Sequence, residues 1–434
     1  MNELSNILTE LIFILLHLFV FLANYLFANK NLFYPSVLFS LSWVVILALH
    51  FIFGFTILGQ LYPLRIETFL ILFIGTLSFS FGCFIMSVYR HQRGFERPIH
   101  LKFEPPIFRI SLKLRMVFLA ILVVGLPFYI QASYRVFLAS HIDNFFVGLR
   151  TELSYGEEDI GVTKYLVTFS FVIFSLNYYT YLKQKSNLNL LIVIFTLIIT
   201  LAYSVLATGR TYFFMILSIY LGISYLIKKG FSLKKYIAPV LIFSLLFILI
   251  GILYGKGGSA DDSLKENIQN SSETTAIYLV CSLSALDLER KNNVRAKYGG
   301  ENTLLFFVKI GQKLDLLPNV KEGTLISEFV FVPYPTNVFT FYSPYIRDYG
   351  RLYAWLMISL FGAFHTWIFH KAVNTKNIRY SLYYSFLLYP VLMSFFQDQY
   401  LSLFSTWLQM FFYTEAFLAI NSYFNKRFSK KVVA

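Results

Sequence analysis

Charge is what this sequence has least of. Only 14% of its 434 residues are Asp, Glu, Lys or Arg, against 57% hydrophobic and 19% aromatic. One soluble core could not hide that much apolar surface, which excludes an ordinary globular domain and implies a polytopic membrane protein. Cysteine is nearly absent too. The two present are Cys83, inside an apolar span, and Cys281, in a long polar loop, so there is no disulfide framework and no metal signal. Met1 to Asn6 lack the basic region that opens a cleavable signal peptide, and the first apolar span is expected to remain as a transmembrane helix. No internal repeat and no matched pair of broken helices is found, which argues against many secondary transporters.

What the chain does have is apolar runs of the length a bilayer asks for, about 20 residues per helical crossing. They fall at roughly 7 to 28, 36 to 57, 66 to 89, 116 to 136, 164 to 182, 188 to 207, 212 to 227, 236 to 254, 352 to 370, 380 to 396 and 402 to 422. The expected fold is an all-α polytopic membrane protein of about 11 transmembrane helices, one transmembrane domain over residues 1–434. The seventh and tenth spans are short.

A net charge of +14 could suit nucleic acid, but the cations cluster in short turns between apolar spans, so no nucleic-acid partner is expected. Alternate connections are all basic. They hold Lys30, the group from Arg90 to Arg115, Lys183 and Lys185, Lys228 to Lys235, Lys371 to Arg379, and the tail from Lys426. By the positive-inside rule the N-terminus lies outside and the C-terminus in the cytoplasm, and the loops at 137–163 and 255–351 lie outside. The segment Arg90 to Arg115 reads as a topology anchor, with contact to anionic lipid as the other reading.

The smaller outer loop carries His141, Arg150, and the patch Gly156-Glu157-Glu158-Asp159-Ile160-Gly161. Its carboxylates fit no calcium-loop spacing, and a solvated acidic turn is expected rather than a metal site. The sixth and seventh spans meet at Thr208-Gly209-Arg210-Thr211. A guanidinium in so tight a turn can fork onto a phosphate or serve as an interfacial anchor.

The large loop begins with a flexible glycine-rich stretch and then predicts two amphipathic segments, one from Asn270 to about Arg290 and one after Glu301. It closes through Glu328 and the run Pro335-Thr336-Asn337-Val338-Phe339-Thr340-Phe341-Tyr342-Ser343-Pro344-Tyr345-Ile346-Arg347-Asp348-Tyr349-Gly350. Prolines interrupt helix there, aromatics offer faces for a ring, and Arg347-Asp348 stands where the next membrane helix begins. Asp398, at the outer end of the tenth span, is expected beside this run. Glu415 reads as a paired structural carboxylate, and His17, His50, His365 and His370 as packed or interfacial.

The short Thr-Gly-Arg-Thr turn, the large outer loop in the second half, and Pro-Thr-Asn-Val-Phe-Thr leading to Tyr-Ile-Arg-Asp-Tyr-Gly together resemble the Wzy-type O-antigen polymerases. The resemblance implies a GT-C-like glycosyltransferase of the bacterial inner membrane; no cofactor is expected. It implies transfer of a growing glycan from undecaprenyl pyrophosphate onto a new lipid-linked oligosaccharide repeat unit at the periplasmic face. Chain-length regulator and flippase proteins are implied partners beside membrane lipids. Some members carry Arg, ten residues, then Gly; Arg150 and Gly161 fit that spacing, while position 358, eleven beyond Arg347, is Ile.

For such a transfer the leaving pyrophosphate gains negative charge, and fixed cations lower the barrier. At least two of Arg150, Arg210 and Arg347 are expected to clamp it. An acceptor hydroxyl needs a base. Asp348 is the first candidate, with His141, Glu328 and Asp398 behind it, and an ion pair of Asp348 with Arg347 or Arg351 is the structural alternative. Tyr342, Tyr345 and Tyr349 could stack sugars, and Asn337 could bind them. An O-antigen ligase or a lipid-linked oligosaccharide flippase would share the substrate; a flippase should show more spans and no large outer loop.

Overall fold

The computed structural model describes residues 3–56, 58–59, 61–92, 110–209, 211–228, 233–254, 264–317, 328–375 and 377–432. These form helices α1 (Glu3–Phe27), α2 (Pro35–Phe55), α3 (Ile66–Gln92), α4 (Leu112–Ala139), α5 (Phe145–Tyr155), α6 (Tyr165–Lys183), α7 (Asn187–Leu206), α8 (Thr211–Ile227) and α9 (Leu233–Leu253). They continue with α10 (Leu264–Lys291), α11 (Leu305–Lys313), α12 (Tyr342–Thr375), α13 (Ile378–Leu392) and α14 (Phe404–Val432). A two-residue antiparallel ladder, Val330–Phe331 against Pro335–Thr336, is the strand content of the described residues.

Each expected apolar span coincides with a helix, although the tenth stops at Leu392 rather than 396. Among the described residues six helices are long and apolar enough to cross a membrane: Leu4–Phe27, Pro35–Gly54, Ile66–Gln92, Leu112–Ala139, Asn187–Leu206 and Tyr342–Thr375. Thr211–Ile227 and Ile237–Leu253 are shorter apolar helices. Large side chains on these helices stand bare, among them Leu4, Phe19, Val124 and Phe128. Such surfaces suit lipid and not water, and the chain is an all-α membrane protein. In the polar loop, α10 starts six residues before Asn270, because Leu264, Lys265, Glu266 and Gln269 all favour helix.

The chain divides into two compact units. The first comprises residues 1–99, 272–370 and 387–404. In it α1, α2 and α3 are tied by Asn24, whose Nδ2 donates to Ser36 O (3.4 Å), Ser40 Oγ (3.3 Å) and Ser80 Oγ (2.9 Å). In an apolar interior such small polar groups act as glue between helices. Phe39 stacks on Phe79 at 4.1 Å, and Trp43 on Tyr342 at 4.9 Å. α3 and α12 approach through glycine: a Cβ on Gly82 would lie 1.8 Å from Ser359 O, and one on Gly362 2.1 Å from Phe79 O.

α12 is two helices joined at Gly350, whose φ of 73° and ψ of 177° only glycine adopts readily. The break separates residues 342–349 from the long apolar stretch that follows, close to the expected boundary at 352.

The second unit comprises residues 100–271, 371–386 and 405–434. Its axis is α6, buried on nearly every side and packed on α4, α7 and α8. Asn177 Nδ2 donates to Thr196 Oγ1 (3.0 Å), Tyr178 and Ser224 share a hydrogen bond (2.5 Å), and Tyr203 OH donates to Leu122 O (2.8 Å). Glu415 is paired, as expected, with Arg379 (2.5 Å) and Tyr383.

Candidate functional site

Consecutive residues on a helix do not face one another, and that geometry decides the fate of Arg347-Asp348. On the 342–349 helix the two side chains leave in different directions. Arg347 pairs with Glu289 of α10, both largely buried at 17% and 4% side-chain exposure. Ser343 Oγ donates to the other Glu289 oxygen at 2.5 Å. The Arg347 guanidinium also lies 4.8 Å over the Phe339 ring, a cation–π contact, and its Nε is buried without a hydrogen bond among the described residues.

Asp348 meets neutral donors instead. Its carboxylate accepts from Asn302 N (3.1 Å), Asn302 Nδ2 (2.7 Å), Thr303 N (2.9 Å) and Thr303 Oγ1 (2.7 Å). All four donors belong to two adjacent residues, and together they hold the carboxylate in one orientation. The expected ion pair of Asp348 with Arg347 or Arg351 is corrected on both counts, since Arg351 goes to Glu67. Asp348 fastens the turn at residues 300–304 to the helix that carries Arg347.

Asp398 does similar work from the connection between α13 and α14. It accepts from Tyr345 OH (3.0 Å), Tyr400 N (2.9 Å), Ser402 N (2.9 Å) and Ser402 Oγ (2.7 Å). Burial raises the Asp398 carboxyl above its ordinary value, against the lowering effect of the hydrogen bonds from Ser402, Tyr400 and Tyr345. Phe341 N donates to Ser394 O (2.9 Å), which ties the closing run to the same connection.

Between these elements lies a cleft lined by Asn302, Asn337, Ser343, Arg347, Asp398 and Ser402, with Leu305, Phe339, Pro344 and Gln397. Its volume is about 30 Å³. That is room for one water or for the oxygens of a polar group, and not for a sugar ring. Three of the expected residues, Asn337, Arg347 and Asp398, thus meet in one place, while Asp348 supports it from behind.

The other expected residues lie elsewhere. Tyr342 and Tyr345 are fully buried, with faces spent on Trp43, Phe341 and Phe361, so neither ring is open to a sugar in this arrangement. Tyr349 OH shares a hydrogen bond with Thr303 Oγ1. Glu328 is exposed, two residues before the strand ladder. His141 and Arg150 belong to the second unit, His141 exposed with φ 53° and Arg150 on α5. Asp159 is taken by Lys164 Nζ (2.6 Å) and Gly161 N (2.5 Å), which leaves the acidic patch as an exposed turn. Arg210 lies outside the described residues.

Glu289 is the residue that sequence reasoning missed. The signal was present in Asp287-Leu288-Glu289: carboxylates two apart on a helix point to different sides. Asp287 holds Arg65, and Glu289 holds Arg347.

Two curated proteins align with the chain. An O-antigen polymerase of Shigella dysenteriae is 31% identical over 229 residues, 51% of this chain and 54% of that protein. The chain therefore spans about half the length of that relative. A putative O-antigen polymerase of Escherichia coli K12 is 22% identical over 403 residues, 89% of this chain and 92% of the other. No family model matches the chain, and no solved structure matches it.

Proposed function

We propose, from a chain that is related in sequence to the Wzy-type O-antigen polymerases, that this protein is a membrane glycosyltransferase that polymerises lipid-linked oligosaccharide repeat units. The donor glycan leaves undecaprenyl pyrophosphate and passes to the non-reducing end of a second unit, at the periplasmic face of the inner membrane. Eleven helices of a GT-C-like fold cross the bilayer, with the loops at 137–163 and 255–351 on the outer side. The observation that carries the mechanistic part is the cleft in which the buried, only partly partnered Arg347 meets Asn302, Asn337, Ser343 and Ser402.

A fixed guanidinium among amide and hydroxyl groups stabilises charge that grows on a departing oxygen, and does so best where water is scarce. Arg347 fills that role, held at its angle by Glu289 and Phe339. For Arg150 and Arg210 a phosphate contact is proposed from the resemblance alone. Asp348 and Asp398, each with four donors, act as struts, and the proton of the acceptor hydroxyl goes to another group. Because the cleft admits only a polar group, the glycan itself lies against its mouth.

Deleting the gene and resolving the surface polysaccharide on a gel tests the reading. Loss of polymerase leaves a single repeat unit on the lipid core. Bare core with lipid-linked polymer would identify a ligase, and bare core with units trapped inside a flippase; either pattern overturns the proposal.

A further inference from the structure

The first unit carries a second cationic centre that the cleft does not use. Arg65, immediately before α3, donates from Nε to Asp287 Oδ2 (3.1 Å) and from Nη2 to Asp287 O (2.6 Å). Arg65 N (3.0 Å) and Thr68 Oγ1 (2.5 Å) donate to the same carboxylate, so Asp287 serves as the anion at the start of α3. Glu67 sits between Arg65 (Nη1 to Oε2, 3.7 Å) and Arg351, which it also binds.

Arg290 follows Asp287 by three residues on α10 and shares its face. It has no carboxylate of its own among the described residues. Its Nη2 donates to Val294 O (2.9 Å), and its Nε is buried without a partner. With Arg295 close by, four guanidiniums gather near the two carboxylates of Asp287 and Glu67, which are bound by Arg65 and Arg351. Burial lowers the pKa of Arg290 first, and Arg351, Arg295 and Arg65 lower it further against Glu67 alone. The positive charge is therefore under-compensated where a buried donor is unused.

We propose that Arg65, Arg290 and Arg351 form a binding site for a phosphate-type anion, separate from the Arg347 cleft. Planar guanidinium forks match phosphate oxygens in pairs, which ammonium groups do not. The side chains of Arg65 and Arg351 are 39% and 56% exposed, so the site opens to solution, while Arg290, three residues on from Asp287, carries a buried donor not yet used. The anion is the headgroup phosphate of a lipid or a free phosphate or pyrophosphate, and the proposal stands whether or not the chain polymerises glycans.

The test uses the full chain. Inorganic pyrophosphate is titrated against detergent-purified protein by calorimetry, and retention of phosphatidylglycerol over phosphatidylcholine is read by native mass spectrometry from nanodiscs. Arg290→Gln and Arg351→Gln should each weaken the bound species by about tenfold or more, the loss of a charge-assisted hydrogen bond. The exposed Lys313→Gln should leave it in place. Pyrophosphate binding assigns a soluble ligand; lipid retention without it assigns a headgroup. Absence of both, or equal binding by wild type and both arginine variants, overturns the site. Should Arg290→Gln fail to fold, the exposed Arg351→Gln decides alone.

Discussion

Two polar segments use the same residue types, arginine, carboxylate and aromatic, to opposite ends. In residues 339–351 the side chains reach far along the chain: Asp348 to Thr303 45 residues away, Tyr345 to Asp398 53 away, Ser343 to Glu289 54 away. In residues 141–164 the bonds are local, Glu158 to Glu152 six residues away, Lys164 to Asp159 five, Gly161 to Asp159 two. Long-range bonds fix a side chain against the fold, whereas local ones shape a turn and leave the rest free. Arg347 is thus held in place by Glu289 and Phe339, and Arg150 makes no ion pair among the described residues.

The largest expected break of that contrast is Arg347→Ala, which leaves Glu289 buried and unpaired at a cost of about 3–5 kcal/mol. Thermal unfolding in detergent should record it, with loss of long-chain polysaccharide on the gel. Replacing both partners, Arg347→Met with Glu289→Leu, should recover most of the stability. Polymer should not return with it; if it does, Arg347 only holds the fold.

Asp348→Asn comes next. It turns an amide toward donors and should cost about 1–3 kcal/mol. The pH profile of glycosyl transfer by the purified variant should match wild type, since a strut carries no proton; loss of one limb of the profile would restore Asp348 as the base. Gly350→Ala forces a side chain into backbone space that is nearly glycine-only, with strain of about 1–3 kcal/mol. A lower unfolding midpoint together with shortened glycan chains would place the break in the service of the cleft.

The smallest effect belongs to the other segment. Asp159→Asn removes an exposed pair with Lys164 and should cost less than about 1 kcal/mol. The Lys164 hydrogen bond holds the Asp159 carboxyl below its ordinary value. Its contribution is therefore complete above the ordinary aspartate range, near pH 4, and fades as pH falls through the lowered value. Hydrogen exchange at residues 156–164 should follow that course, and a global change in its place would show the turn to be less local than its bonds.

The helices were legible because length and hydropathy are local quantities, and every expected span met a helix. Tyr342 lay open to misreading: an aromatic near a membrane boundary suggests a sugar platform, yet Gly75 leaves space for its ring, which a Cβ would meet at 2.3 Å. Asp398 could be placed beside the closing run because both sit at the ends of predicted spans. Its four donors could not be foreseen, nor could Glu289, whose partner is 58 residues on along the chain. Sequence neighbours suggest pairs, and helix geometry sends neighbours apart.

The glycine seam between α3 and α12 has a consequence for which changes the first unit can absorb. Backbone carbonyls are set there where a single methyl would collide, with Phe39 and Phe79 stacked beside them, so main chain and not side chain closes the seam. No change of rotamer can make room in main chain, and a bulky residue at Gly82 would have to part the two helices.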